Sequence, residues 1–293
     1  MAEAVDPQPE VASKQLAPTS SAELTAALLV AAAVSAVPPL CAPRLPFSAC
    51  FLSVPLALLS VLWLVWAIVR TRFRGWDLLA VLVVSGLAWG ALALSQLRRP
   101  LGGSPLAVGN VPLTVCAAAL GVFLAGLVRD RNILVPAGIF AAAIDIAVVY
   151  WGPTGRAVEA APRVVTRLSV HTALPGTGGP PPVPGAPPSP LEVLNVGAVD
   201  VLLAAFMLAA LLRFGMRAWP AFWQICVWCS LVSLTVVVKA WPIPGWPFVV
   251  LGALLPNRDQ FHFSRSEKVA MAIAFVVAVA AVRLVLWATA RMW

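Results

Sequence analysis

The chain is 293 residues long, 61% apolar and only 11% charged, with a formal net charge of +8. Soluble domains run at roughly 45–50% apolar and about 25% charged, so a soluble globular enzyme is excluded, because so few charges cannot coat its surface. The apolar excess also excludes disorder along the whole chain, and a mean hydropathy of +0.92 leaves an integral membrane protein of many spans.

Residues 1–22 hold Glu3, Asp6 and Glu10 against one base, Lys14. That is the wrong sign for the n-region of a signal peptide, and the stretch reads as a disordered tail. From 23 to 293 the chain reads as a single polytopic membrane domain. Crossing the hydrocarbon core takes roughly 20 apolar residues. Nine stretches are candidates: 24–41, 47–69, 76–97, 111–128, 132–151, 191–212, 218–238, 241–256 and 267–289. The eighth, WPIPGWPFVVLGALLP, is short, and Pro242, Pro244, Gly245 and Pro247 crowd its start. Lipid cannot satisfy a disrupted backbone, so this segment is either buried by its neighbours or broken. The expected fold is an all-α membrane bundle of about nine transmembrane helices with one long Pro/Gly-rich loop.

Short basic connectors separate the spans: Arg70, Arg72 and Arg74; Arg98 and Arg99; Arg129 and Arg131; Arg213 and Arg217; Arg258, Arg265 and Lys268. Trp76, Trp151, Trp219 and Trp241 sit at span ends and suit an interfacial belt. Alternating the spans puts 11 Lys and Arg on the N-terminal side and 8 on the other, which leans to a cytoplasmic N-terminus. Arginine outnumbers lysine 17 to 3, a composition of high-GC bacterial genomes, and the expected location is a bacterial plasma membrane. The basic residues face lipid head groups. No basic stripe with interleaved aromatics is present, so no nucleic-acid partner is expected.

Residues 152–190 form the long loop. Its second half, PGTGGPPPVPGAPPSP, carries eight prolines and reads as extended, polyproline-like chain. Its first half has room for an amphipathic helix or a short strand, and contains His171. Of five cysteines, Cys226 and Cys229 form a CxxC on one helix face. With no second pair and no histidine nearby, they read as small packing residues rather than a redox or metal pair. No metal or organic cofactor is expected.

Two carboxylates lie well inside spans: Asp145 in IFAAAIDIAVVYW and Asp200 in LEVLNVGAVDVLLAAF. An Asp at a helix centre costs about 2.5–3.5 kcal/mol on insertion scales. A partner, a wet cavity or a proton must offset it. Asp145 stands six residues before the end of its span and Asp200 nine after the start of the next. At about 1.5 Å per residue, both sit roughly 9–13 Å from the same side, on consecutive antiparallel helices. Asn195 is expected one helical turn below Asp200. Two carboxylates in close contact cannot both ionise easily, and the pair shares a proton. One then acts as base on a water and the other as acid on a carbonyl. A transporter would load and release the proton instead.

The order of parts is an Asp-bearing span, a long variable loop, a span with Gly-Ala-Val-Asp, one more span, and a proline-rich segment start. This resembles the GxGD intramembrane aspartyl proteases, the presenilin and signal peptide peptidase group, over residues 132 to 256. Ile144 stands where that family has an aromatic residue, Val199 where it has the second glycine, and Pro242-Ile-Pro-Gly-Trp-Pro where it has Pro-Ala-Leu. The resemblance implies a catalytic pair, Asp145 and Asp200. It implies close packing at Gly197 and Ala198, and a substrate path along Pro242, Pro244 and Pro247. The substrate would be a transmembrane or signal-peptide-like segment. An inactive relative, a proton- or cation-coupled transporter using the same pair, and a non-catalytic membrane scaffold are the alternatives.

Overall fold

The computed structural model describes residues 19–41, 47–71, 73, 75–95, 103–151, 169–173, 193–239 and 243–292. Among these are nine α-helices and two strands. In chain order they are α1 (Ser21–Cys41), α2 (Cys50–Arg70), α3 (Gly75–Ser95), α4 (Gly103–Leu127), α5 (Leu134–Trp151), β1 (Ser169–Ala173), β2 (Val193–Gly197), α6 (Ala198–Arg213), α7 (Ala218–Lys239), α8 (Trp246–Leu254) and α9 (Arg265–Met292). Five stretches, on α2, α3, α4, α5 and α7, are long and apolar enough to cross a membrane. The chain is a multi-pass membrane protein, and its outer partner is the lipid bilayer.

Two expected spans take a different form. The stretch 191–212 is not one helix: Val193–Gly197 is a strand, and the helix begins only at Ala198. Its 16 residues reach about 24 Å, short of a core roughly 30 Å thick. The eighth span is a nine-residue helix that continues as a 3-10 turn, Leu255–Gln260. Pro247, in the first turn of α8, lacks the N–H that a longer helix would need there. Pro242 lies outside the described residues, as do most of the loop 152–190 and residues 1–18 of the expected tail. The first helix starts inside that tail, at Ser21, behind a capping box. Ser20 Oγ accepts from the Glu23 N–H at 3.1 Å, and the Glu23 carboxylate accepts from the Ser20 N–H at 3.0 Å.

The short α6 is the centre of the bundle. Val201, Leu203, Ala204, Ala205, Met207, Leu208, Ala210 and Leu211 are all buried, with α2, α4, α7 and α8 packed around them. In lipid, apolarity alone does not drive helices together, so close backbone approach decides which faces meet. Gly121 of α4 provides it. A Cβ there would stand 2.5 Å from the Leu202 carbonyl oxygen and 2.8 Å from Ala205 Cβ. By contrast α3 packs on α4 but buries only Ser85, and Leu79, Val83, Val84, Leu87 and Leu94 are exposed, which suits a helix at the lipid-facing edge.

One end of the bundle gathers Arg70, Arg213 and Arg217. The Thr19 N–H donates to the Arg70 carbonyl, and the Arg213 guanidinium donates to the carbonyls of Ala125 and Gly126 at the end of α4. A cation at these C-terminal carbonyls also complements the helix dipole. Arg217 pairs with Asp259 at 2.8 Å, and the fully buried Asn257 accepts from the Arg217 N–H at 2.8 Å. Arg98 and Arg99, which the charge alternation places on the other side, lie outside the described residues. Beside Arg70 and Arg217, α2 and α7 share an aromatic cluster of Trp63, Trp66, Trp219, Phe222 and Trp223.

The two strands pair antiparallel, Ser169 opposite Gly197 and His171 opposite Asn195. The first half of the long loop therefore contributes a strand. Asn195 is a strand residue paired with His171, not a helical residue one turn below Asp200. Val170 of β1 is buried, and β1 packs on α4 and α1.

Candidate functional site

Asp145 and Asp200 come together at the start of α8. Three local structures bring this about. The first is α5, whose run of small and branched apolar residues carries Asp145 two turns before its end. The second is the junction of β2 and α6. Gly197 ends the strand in extended geometry (φ −60°, ψ 141°) and caps α6, which puts Asp200 in the first helical turn. Asp200 Oδ2 accepts from the Gly197 N–H at 2.9 Å. The carboxylate thus also completes a helix start, where the macrodipole favours an anion. The third is the chain at Pro244–Trp246. The proline and glycine postpone the helix, so the free N–H groups of its first turn remain available.

One of those N–H groups goes to Asp145. The Trp246 N–H donates to Asp145 Oδ2 at 2.9 Å. Gly245 lies against the other aspartate: a Cβ there would stand 3.2 Å from Asp200 Oδ1. Both aspartates interact electrostatically, and both remain partly exposed. From α7, Cys229 comes within electrostatic range of Asp200.

The other expected site residues divide. Gly197 makes a close approach, but to Asp200 itself: a Cβ there would lie 3.0 Å from Oδ2. Ala198 packs against the core. The close helix contact expected at Gly197 and Ala198 is made by Gly121 instead. Pro244 is buried just ahead of Gly245, and Pro247 sits in the first turn of α8. Val199 is half exposed, directed away from the packed centre. Cys226 and Cys229 are free thiols, the first of them buried.

The backbone donor of Trp246 was not singled out by sequence. Its signal was the Pro-x-Pro-Gly-x-Pro run itself, because a broken helix start inside a membrane protein leaves N–H groups that need an acceptor. The arrangement offers two interacting carboxylates, one set of fixed donors and an adjoining strand. Comparison with protein-family models, with curated proteins and with solved structures finds no match.

Proposed function

We propose that the chain is a presenilin-like intramembrane protease that hydrolyses peptide bonds of membrane-embedded segments with Asp145 and Asp200. One observation carries the reading: carboxylates from two different helices meet at the same dipeptide, Gly245-Trp246. Two Asp side chains inside apolar segments are costly, and each accepts a helix-start N–H, Asp200 at α6 and Asp145 at α8; the proposal rests on their meeting at one turn. A pair that shares one proton is equipped for acid–base work on an amide. The ionised carboxylate takes a proton from water as the oxygen attacks the carbonyl carbon. The protonated partner hydrogen-bonds the carbonyl oxygen and stabilises the tetrahedral intermediate. Collapse then breaks the C–N bond, the amine leaves with a proton from the dyad, and the pair returns to one shared proton.

The substrate must present an extended backbone, since a helical amide is occupied by its own hydrogen bonds. The strand β2 runs directly into Gly197 and Asp200. Strand pairing beside a carboxylate is a physical means of holding an unwound segment in that form.

A peptide with a secondary alcohol in place of the scissile amide mimics the tetrahedral centre, so it binds the dyad more tightly than substrate does. A photoreactive version should label the wild-type chain in membranes, and Asp145→Ala and Asp200→Ala should each abolish labelling. Equal labelling of wild type and both variants would contradict the reading.

A further inference from the structure

Three connectors are tied together at one end of the bundle. The Arg213 guanidinium reaches from the α6–α7 turn to the carbonyls of Ala125 and Gly126, where α4 gives way to the α4–α5 connector. Arg217 reaches from the same turn to the Pro256 carbonyl and to Asp259, in the chain between α8 and α9. Asn132 closes the circuit: its side-chain amide donates to the His262 carbonyl at 3.2 Å, across 130 positions. The connectors 128–133, 214–217 and 255–264 therefore form one cap.

The charges of this cap do not balance. Arg213 and Arg217 make the crossings just described. The cap and the first turn of α9 hold three carboxylates, and each is already engaged. Asp259 pairs with Arg217 at 2.8 Å, Asp130 accepts from the Asn132 N–H at 2.9 Å, and Glu267 accepts from the Ser264 N–H at 2.6 Å. That leaves Arg129, Arg131, Arg258, Arg265 and Lys268. All five are exposed, and among the described residues none has a carboxylate within ion-pair distance. Like charges gathered on one surface repel, so an anion that sits among them is held favourably.

Apolar groups border these cations. Leu127, Ile133 and Leu255 are exposed, and Phe261 and Phe263 stack at 6.4 Å. A polynucleotide or an acidic protein would leave that apolar surface unmatched. A phospholipid matches both parts, with its phosphodiester on the cations and its acyl chain on the aliphatic groups. The cap also stands at the ends of α4, α5 and α7, which are long and apolar enough to cross a membrane, so the headgroups of one leaflet lie at its level.

We infer that this cap is a binding site for acidic phospholipid, selective for an anionic over a zwitterionic headgroup. Guanidinium groups hold phosphate oxygens in bidentate pairs, which suits a set of four arginines and one lysine. A zwitterionic headgroup brings its own ammonium, which the same cations repel. The site is separate from the two aspartates and does not depend on the diaspartyl reading.

The test uses the full chain purified in neutral detergent, with phosphatidylglycerol and phosphatidylcholine of matched acyl chains as probes and lipid retention read by native mass spectrometry. Wild type should hold phosphatidylglycerol about tenfold more tightly or better, and the preference should shrink as salt rises. Arg131→Gln combined with Arg258→Gln should weaken phosphatidylglycerol about fivefold for each cation removed, with helix content and unfolding as in wild type, because both side chains are exposed. Lys239→Gln, at the far end of α7, should leave binding unchanged. Equal retention of the two lipids overturns the inference. So does a double variant that binds as wild type does, or a loss in Lys239→Gln as large as in the double variant. Displacement of phosphatidylglycerol by an equal concentration of inorganic phosphate or of polyuridylate also overturns it, since the cap would then take the free anion or nucleic acid. The lipid preference and its salt dependence are read on wild type alone, so the inference is decided even where a variant fails to fold.

Discussion

The backbone N–H of Trp246 donates to the Asp145 carboxylate at 2.9 Å across 101 positions of sequence. That bond ties the start of a nine-residue helix to the middle of α5 and brings a second carboxylate, Asp200, against the same turn. Its consequences can be tested separately.

Asp145→Ala leaves the Trp246 N–H without its acceptor. A fully buried donor left unsatisfied costs about 1–3 kcal/mol; this one is part-buried, so thermal unfolding in lipid should occur earlier by an amount at the low end of that range. Asp145→Asn keeps a carbonyl oxygen for that bond and should unfold close to wild type. Both variants should lose cleavage. Unfolding of Asp145→Asn as early as Asp145→Ala would show that charge, not the hydrogen bond, matters to stability.

Gly245→Ala places a Cβ about 3.2 Å from Asp200 Oδ1. The carboxylate must shift by a few tenths of an ångström, and small displacements of a reacting group are expensive in rate. Cleavage should drop by about tenfold or more while helix content and unfolding stay near wild type. A fully active variant would remove Gly245 from the site.

Gly121→Ala tests the bundle apart from the site. Its Cβ meets the Leu202 backbone carbonyl at 2.5 Å, and backbone cannot swing away. Overpacking of this kind costs about 1–3 kcal/mol. Unfolding measured in nanodiscs should shift accordingly, and an unchanged midpoint would show that α4 and α6 are less closely packed.

The basic end holds a contrast between two polar residues. The Arg217–Asp259 pair is 54% and 55% exposed, so Asp259→Ala should cost under about 1 kcal/mol. Asn257 is fully buried and bonds to the Arg217 N–H and the Ala253 carbonyl. Asn257→Leu leaves those groups unpaired and should cost about 1–3 kcal/mol. Parallel unfolding curves rank the two, and the reverse order would contradict the assignment.

Much of this was legible in the sequence. The helices fall close to the apolar stretches, because lipid leaves a spanning backbone few alternatives. The two aspartates stand out because a charge inside an apolar run needs a reason. The strand β2 was not legible. In LEVLNVG the apolar residues suit a helix or a buried strand equally, and periodicity cannot separate them over so short a run. Its partner β1 lies beyond a proline-rich stretch, so no hairpin signal joins them. The depth argument for Asp200 assumed helical rise from Leu191 and so rested on the wrong geometry, although the carboxylates do meet. Trp246 was invisible for another reason: its most important group is a backbone N–H, which every residue but proline carries, and only the fold shows where it points.

The most direct test is cleavage itself. Purified chain in lipid vesicles is given a membrane-spanning reporter, and product is compared for wild type, Asp145→Ala and Asp200→Ala. The account predicts cleavage by wild type and loss in each single variant. Cleavage surviving in either variant, or absent from wild type across a panel of reporters, would contradict it.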